Sequence, residues 1–360
     1  MKKHPYISLP DTSFWRRSIS RVPYSQVDPV CEFNLRIRPE SKIATAGSCF
    51  AQHIARHLKQ SGYNYYVVEQ GHPILSVLVK EKHHYGTFSA RYGNIYTARQ
   101  LLQLFLRAYG EFEPIEDVWE EPDGRVLDPY RPTVQPNGFV SIQEMKADRK
   151  QHLLSVRRMF ETLDVFVFTL GLTECWRHRA DGATFPLCPG VEGGVFDSSK
   201  HEFYNQPVAD VLADMNEFIG RLKVVNPGAN IIVTVSPVPL MATADKGQHV
   251  LSATTYSKSV LRVAAGELAN QHAHVHYFPS YEIITGNFSR GRYYADDLRD
   301  VDEEGVLHVM RLFLKHAAGV ELSSKSNASV ATSESDFIQN AEAIVAVECD
   351  EVALDRKGHD

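Results

Sequence analysis

Cysteine is scarce in this chain, and the few cysteines are isolated from one another. The 360 residues include five cysteines, with no C-x-x-C spacing among them. An odd number of isolated cysteines favours neither a disulfide framework nor a zinc or redox motif. We therefore expect reduced, mostly structural cysteines and no metal site. The cysteines are Cys31, Cys49, Cys175, Cys188 and Cys349.

Long apolar runs are also missing. No window has the uninterrupted apolar length that a membrane-spanning helix needs, and the basic amino end leads into polar and aromatic residues instead of an apolar signal segment. These absences predict a cytoplasmic protein without a membrane partner.

A basic excess is missing from most of the chain. Residues 321–360 contain nine acidic and three basic residues, which accounts for the whole formal net charge of −6. The remaining residues are balanced, so we expect no nucleic-acid partner. The acidic tail, 321–360, begins with small polar residues typical of a flexible linker and is expected to be partly disordered. Apolar spacing at 336–348 predicts one short amphipathic helix.

What remains is the composition of an ordinary globular protein, with 43% hydrophobic and 23% charged residues. Residues 1–40 lack periodicity and are expected to form an arm packed on the body. The body, 41–320, carries a long insertion at 70–145. Its aromatic residues argue against disorder, and loops of this length are commonly functional.

The body shows strands alternating with helical patterns. Two of the strands are apolar without alternation, which is typical of strands buried on both faces of a parallel sheet. The pattern predicts an α/β fold, a three-layer α/β/α sandwich with a five-stranded parallel sheet. The predicted strands begin at Lys42 and continue with 63–69, 164–170, 230–236 and 274–278.

The first strand runs into Gly47-Ser48 and restarts as a helix. Such a turn can lift a nucleophile above the sheet edge, beside helix N-terminal N–H groups that stabilise negative charge. Serine is also a favoured N-cap, so the alternative is that Ser48 only caps the helix. Ligands of parallel sheets bind at the carboxyl ends of the strands, where this turn lies.

Several blocks resemble the GSCFA family. They are Gly47-Ser48-Cys49-Phe50-Ala51, Thr169 to Glu174, Ser236-Pro237-Val238, Tyr256-Ser257-Lys258-Ser259 and Tyr277 to Glu282. That family is related to the SGNH hydrolases. The resemblance covers roughly residues 40–318, and it implies a flavodoxin-like sandwich with a Ser-His-Asp site that cleaves or transfers acyl groups.

The resemblance implies specific roles. Ser48 would be the nucleophile, and its own N–H the first oxyanion donor. Gly93 or Asn94 would supply the second donor. The SGNH block Gly-x-Asn-Asp here ends in Thr173-Glu174, so the Thr173 hydroxyl would replace an amide.

The general base is the largest departure from the SGNH pattern. The block Asp-x-x-His ends here in Asp300 instead of histidine. A serine needs a base at neutral pH, and we expect His249, in the loop after the fourth strand, with Asp297 as its orienting carboxylate. His308, inside the closing helix, is the second choice.

Two further residues have open interpretations. Cys49 at a helix start is a conceivable thiolate, but its side-chain direction predicts burial. Glu174 is a candidate general acid or substrate acceptor, and a structural ion pair with Arg177 or Arg179 is the favoured interpretation.

Three functions fit these residues. The first is a serine ester hydrolase that acts on an O-acyl substrate, such as an O-acetyl carbohydrate, through an acyl-serine intermediate. The second is an acyltransferase that passes the acyl group from acyl-CoA, as co-substrate, to a sugar hydroxyl. The third is a ligand-binding protein that has lost its base. No other cofactor is expected.

Overall fold

The computed structural model describes residues 4–319 and 350–355. In these ranges the strands are β1 Ile43–Gly47, β2 Trp119–Glu120, β3 Val126–Leu127, β4 Val165–Leu170, β5 Glu174–His178, β6 Thr184–Phe185, β7 His201–Asn205, β8 Asn230–Val235 and β9 Val275–Tyr277. The α-helices are α1 Cys49–Gln60, α2 Val77–Lys82, α3 Ala98–Ala108, α4 Ile142–Thr162, α5 Val208–Val225, α6 Val250–Gln271, α7 Ser280–Thr285 and α8 Glu303–Phe313.

The central sheet is parallel, with the strand order β1-β4-β8-β9. Gly47 at the end of β1 pairs with Thr169, and Leu170 at the end of β4 pairs with Val235. The carboxyl ends of these strands therefore lie at one edge of the sheet. The predicted parallel α/β fold is confirmed.

The strand count is wrong by one, because the predicted strand 63–69 forms only a single parallel bridge, between Tyr65 and Ile43. Beyond this bridge the chain turns to the insertion, where the Val68 N–H donates to the Ser89 carbonyl at 2.8 Å. Asn64 and Tyr66 bond to Ile43 of β1, but the pairing stops there because Val68 bonds to the insertion, so the sheet has four strands rather than five.

Helices cover both faces of the sheet. Alternate strand residues, such as Ala44 and Phe166, pack against α3, α4, α5 and α6. Their neighbours, such as Ile43 and Val165, pack against α1, α7 and α8. Because successive side chains of a strand point to opposite faces, one sheet supports two apolar cores, which gives the predicted three layers.

A second, antiparallel sheet follows β4 at once, in the order β6-β5-β7. Only residues 171–173 separate the two sheets, since Glu174 already begins β5.

The N-terminal arm lies along α8. The Ile37 N–H donates to the Ala317 carbonyl at 2.7 Å, and Asp28 pairs with Lys315 at 2.8 Å. At the other end of the chain, Asp350–Asp355 forms a short 3-10 turn. The helix predicted at 336–348 lies outside the described residues.

Candidate active site

Ser48 lies at a turn that only glycine can precede. Gly47 has φ of +140°, and a Cβ there would lie 2.4 Å from the Thr169 carbonyl oxygen. Ser48 occupies the N-cap position of α1, yet its side chain makes no capping hydrogen bond. It is 3% exposed, and among the described residues its hydroxyl has no hydrogen-bond partner. Capping therefore does not account for the hydroxyl, which is buried and unpaired at the sheet edge.

The segment 93–96 borders this turn, since the Ile95 N–H donates to the Gly47 carbonyl at 2.8 Å. Gly93 makes the bend, with φ of +71°. Asn94 is buried, and its amide group donates to an Asp350 carboxylate oxygen at 2.9 Å. An amide that already binds an anionic oxygen beside Ser48 has the chemistry of an oxyanion donor.

The Ser48 N–H is the other predicted donor. It faces the Thr169 carbonyl at 3.4 Å, a long contact that is weak for an N–H donor. The group can therefore be recruited by a developing oxyanion at little cost.

The buried Arg91 and its hydrogen-bond partners fix the backbone that leads into segment 93–96. The Arg91 guanidinium donates to Asp148 of α4 and to the Val134 carbonyl, both at 2.9 Å. The backbone N–H of Arg91 donates to a carboxylate oxygen of Glu69 at 2.7 Å. Because Arg91 is 2% exposed, these bonds are made away from water and fix the backbone that leads to Asn94.

Thr173 is fully buried, and its polar groups are engaged. Its hydroxyl donates to Asn205 Oδ1 at 2.6 Å, and its N–H donates to the Ser257 hydroxyl at 3.0 Å. In this geometry the Thr173 hydroxyl supports β7 and α6 instead of presenting a donor to Ser48.

Glu174 is half-buried and accepts a hydrogen bond from the Thr243 hydroxyl at 2.7 Å. Burial raises the pKa of its carboxyl. The expected ion pair with Arg177 or Arg179 is wrong, because both arginines pair with Glu202. They lie on β5 and its continuation, opposite Glu202 on β7, and this cross-strand pairing takes them away from Glu174.

The structure does not bring His308 to Ser48. One ring nitrogen bonds to the Tyr293 hydroxyl at 2.6 Å and the other to the Val27 carbonyl at 2.9 Å. Burial lowers the pKa of His308 to about 4. One nitrogen joins α8 to the arm and the other joins it to Tyr293, which leaves neither for a serine.

His249 and Asp297 likewise make no hydrogen bond to the Ser48 hydroxyl. His249 is exposed, and its Nδ1 accepts the Leu251 N–H at 3.1 Å, so the ring caps its own helix. Asp297 Oδ1 accepts the N–H groups of Arg299 and Asp300, both at 3.0 Å. Asp297 therefore shapes its own loop, and among the described residues no hydrogen bond links it to His249.

Lys258 is a candidate that the sequence analysis missed. It lies on the buried face of α6, is 1% exposed and donates to the Gly171 carbonyl at 2.7 Å. Gly171 lies directly against the serine, since a Cβ at Gly171 would be 3.1 Å from Ser48 Cβ. Burial, opposed by Glu351 and reinforced by Arg299, lowers the pKa of Lys258 to about 7. The signal was a lysine within the apolar stripe of a predicted helix.

Arg299 is the second residue that was missed. In the block that starts at Asp297, the side chain of Asp300 is 65% exposed, whereas that of Arg299 is 9% exposed and points inward. Arg299 donates to Glu351 at 2.9 Å. A guanidinium, instead of the expected imidazole, therefore comes from this loop.

Cys49 is buried, as its side-chain direction predicted. It is disulfide-bonded, so the expectation of a reduced sulfur is wrong here, and a thiolate nucleophile is not available in this state. Cys31, Cys175 and Cys188 are free.

A cavity of about 800 Å³ adjoins the site. Its wall passes from Gln52 and Arg56 of α1 through α2 to Gly93, Asn94 and Asp350. The volume is within the range of small-molecule and cofactor sites. The insertion builds most of the outer wall.

The described part of the chain has neither a membrane-spanning helix nor a cluster of metal ligands. No helix there is both long and apolar enough to cross a membrane. In residues 4–319 and 350–355, no group of three or more histidine, cysteine or acidic side chains is placed to hold a metal ion.

Comparisons with known proteins place the chain in a family. A solved structure from Parabacteroides merdae, described as a GDSL-like lipase, is similar with 12% identity and a TM-score of 0.32, over 79% of this chain and 98% of that chain. No curated protein matches. The model of the GSCFA family matches residues 42–313, which include the central sheet, Ser48, Lys258 and Arg299. The chain therefore belongs to the GSCFA family.

Proposed function

We propose that this chain is a serine hydrolase of the SGNH type, which cleaves an O-acyl ester through an acyl-Ser48 intermediate. The observation that carries the proposal is the Ser48 hydroxyl, which is buried without a hydrogen-bond partner among the described residues. It stands at a helix N-terminus against Gly171, whose carbonyl accepts a hydrogen bond from the buried Lys258. Burial of a hydroxyl without a hydrogen bond destabilises the fold, and a role as nucleophile would explain why the protein keeps it.

Lys258 is the base that fits this geometry. Because burial lowers the pKa of Lys258 to about 7, a large fraction of the molecules carries the neutral amine at neutral pH. The neutral amine takes the Ser48 proton, directly after a side-chain rotation or through one water. Serine–lysine pairs are a known variant of the Ser-His-Asp arrangement.

The other groups follow from this start. The serine oxygen attacks the ester carbonyl, and the resulting oxyanion is stabilised by the Asn94 amide and the Ser48 N–H. The Lys258 ammonium returns its proton to the leaving alkoxide, which departs as an alcohol. Water then attacks the acyl-serine with Lys258 again as base, and this step releases the carboxylic acid and restores the Ser48 hydroxyl.

The test is to trap the intermediate. The wild type and Ser48→Ala are incubated with activated acyl esters, and intact mass is recorded. The wild type is expected to gain one acyl group, and Ser48→Ala none. Equal labelling of Ser48→Ala would contradict the assignment. No adduct from any donor would favour the third possibility, a binding protein without catalysis.

Acyl transfer is the second candidate, and the cavity beside the site favours it. Its wall carries the basic residues Arg56, Lys59, Lys80, Lys82 and Arg125 against the acidic residues Glu81, Glu192 and Asp350. A wall with more basic than acidic side chains suits an anionic donor such as acyl-CoA. An adduct on Ser48 from acyl-CoA, but not from simple esters, would support transfer to an acceptor such as a sugar hydroxyl.

A further inference from the structure

Residues 350–355 contact the candidate active site. The 3-10 turn Asp350–Asp355 brings two consecutive carboxylates to it. Asp350 accepts a hydrogen bond from the Asn94 amide at 2.9 Å, and Glu351 accepts one from Arg299 Nη2 at 2.9 Å. Glu351 is only 6% exposed, so its carboxylate has left water to make this contact. Two anion-binding groups of the site are thus occupied by the chain itself.

The body of the protein buries two basic side chains at this place. The side chain of Arg299 is 9% exposed, and Lys258 is 1% exposed. The charges of both are felt by Glu351, and burial raises the pKa of that carboxyl while Arg299 and Lys258 lower it. A buried guanidinium without an anion is strongly unfavourable, so Arg299 calls for a negative partner.

Glu351 accepts a hydrogen bond from only one of the three guanidinium nitrogens of Arg299. Its carboxylate is held by Nη2, and Nη1 lies 3.4 Å from Asp300. The Nε atom is buried and has no hydrogen-bond partner among the described residues. A guanidinium binds a carboxylate best through two parallel N–H groups. A ligand that reaches both Nε and Nη2 would therefore be bound more strongly than Glu351.

We propose that Arg299, with Lys258 behind it, is a carboxylate-binding subsite beside Ser48, which Glu351 fills until a carboxylate-bearing substrate displaces it. This rests on the function proposed above, because it names the class of substrate for that same site. A displaced Glu351 also carries Asp350 away from Asn94, which frees the amide for the oxyanion. Substrate recognition and release of the site are then one event.

The first test measures binding without turnover. Succinate is titrated calorimetrically into the full chain as wild type, Glu351→Gln and Asp355→Asn. Asp355 is exposed on the same turn, so its variant is matched in charge change. We expect Glu351→Gln to bind succinate at least about 10-fold more tightly than wild type and Asp355→Asn to bind like wild type, because only the first removes the competitor. Equal affinities in all three would overturn the proposal.

Two controls define the chemistry of the subsite. Succinamide, the neutral counterpart, is expected to bind none of the proteins measurably. Adding Arg299→Gln to Glu351→Gln is expected to abolish succinate binding, with folding checked by circular dichroism. Succinate binding that survives this substitution, or equal binding of succinamide, would refute a carboxylate subsite at Arg299.

The second test links the subsite to catalysis. The 4-nitrophenyl esters of acetate and of succinate, the latter with a free carboxylate, are compared by kcat/KM. We expect the ratio of succinyl to acetyl ester to fall at least about 10-fold in Arg299→Gln. An unchanged ratio would count against the proposal. Tight succinate binding by Glu351→Gln with no turnover of either ester would support the subsite while refuting the esterase function.

Discussion

Replacement of Lys258 by methionine tests the proposed base. Methionine has a similar length and suits a buried site, but it cannot accept a proton. Removal of a general base typically lowers a rate by 10²–10⁴-fold, or about 3–5 kcal/mol of transition-state stabilisation. We expect kcat/KM for an activated ester to fall by such a factor, with unfolding temperature and circular dichroism showing that the fold is kept.

The pH dependence of kcat/KM provides a second test of Lys258 as the base. An ordinary lysine, with a pKa of 10.5, is neutral in about one molecule in 3000 at pH 7, whereas a pKa of about 7 makes about half neutral. Because the neutral form is the active one, kcat/KM should rise about 10-fold per pH unit below 7 and level off above it. Glu351→Gln should move the midpoint lower, since Glu351 raises the pKa of Lys258.

Matched variants separate Lys258 from the histidine that the sequence favoured. Lys246→Met removes an exposed lysine from the loop before α6 and should leave the rate and the profile unchanged. His249→Ala should leave the midpoint unchanged if Lys258 is the base. A flat profile between about pH 5 and 8, or Lys258→Met within threefold of wild type, would refute this reasoning. Loss of activity in His249→Ala alone would restore the histidine.

The remaining predictions concern the oxyanion donor, the turn and acid stability. Asn94→Ala should lower kcat by about 10²–10³-fold with little change in the unfolding temperature, and an unchanged kcat would exclude the amide as a donor. Gly47→Ala should destabilise the fold by about 3 kcal/mol or more in urea unfolding, because its Cβ would strike the Thr169 carbonyl and its φ is +140°. Burial alone raises the pKa of Glu69, but His152, the Arg91 backbone N–H and Arg131 together outweigh it and lower the pKa to about 2. Its stabilising contribution is present above about pH 4.5 and is lost as the pH falls towards 2. Glu69→Gln should therefore reduce the acid-induced fall in stability, and an unaltered pH dependence would contradict this role.

The central strands and their parallel arrangement could be predicted from local sequence patterns. Unbroken apolar runs at 164–170 and 230–236 require strands covered on both faces, and helices between them require a parallel sheet. The Gly47-Ser48 turn could also be placed from local pattern, since a strand that ends in small residues and restarts as a helix leaves little choice. The prediction of a full strand at 63–69 was wrong because its pairing with β1 ends after one bridge, where Val68 bonds to Ser89 of the insertion.

The side chains that surround Ser48 could not be predicted from local sequence, because they depend on tertiary packing. His249 and His308 are polar residues near the correct strands, but hydrogen bonds to their own helix and to the N-terminal arm hold them elsewhere. Lys258 and Arg299 become candidates because packing buries their charges beside Gly171 and Glu351. Burial and the approach of residues distant in the chain set these properties, and neither is written in local sequence.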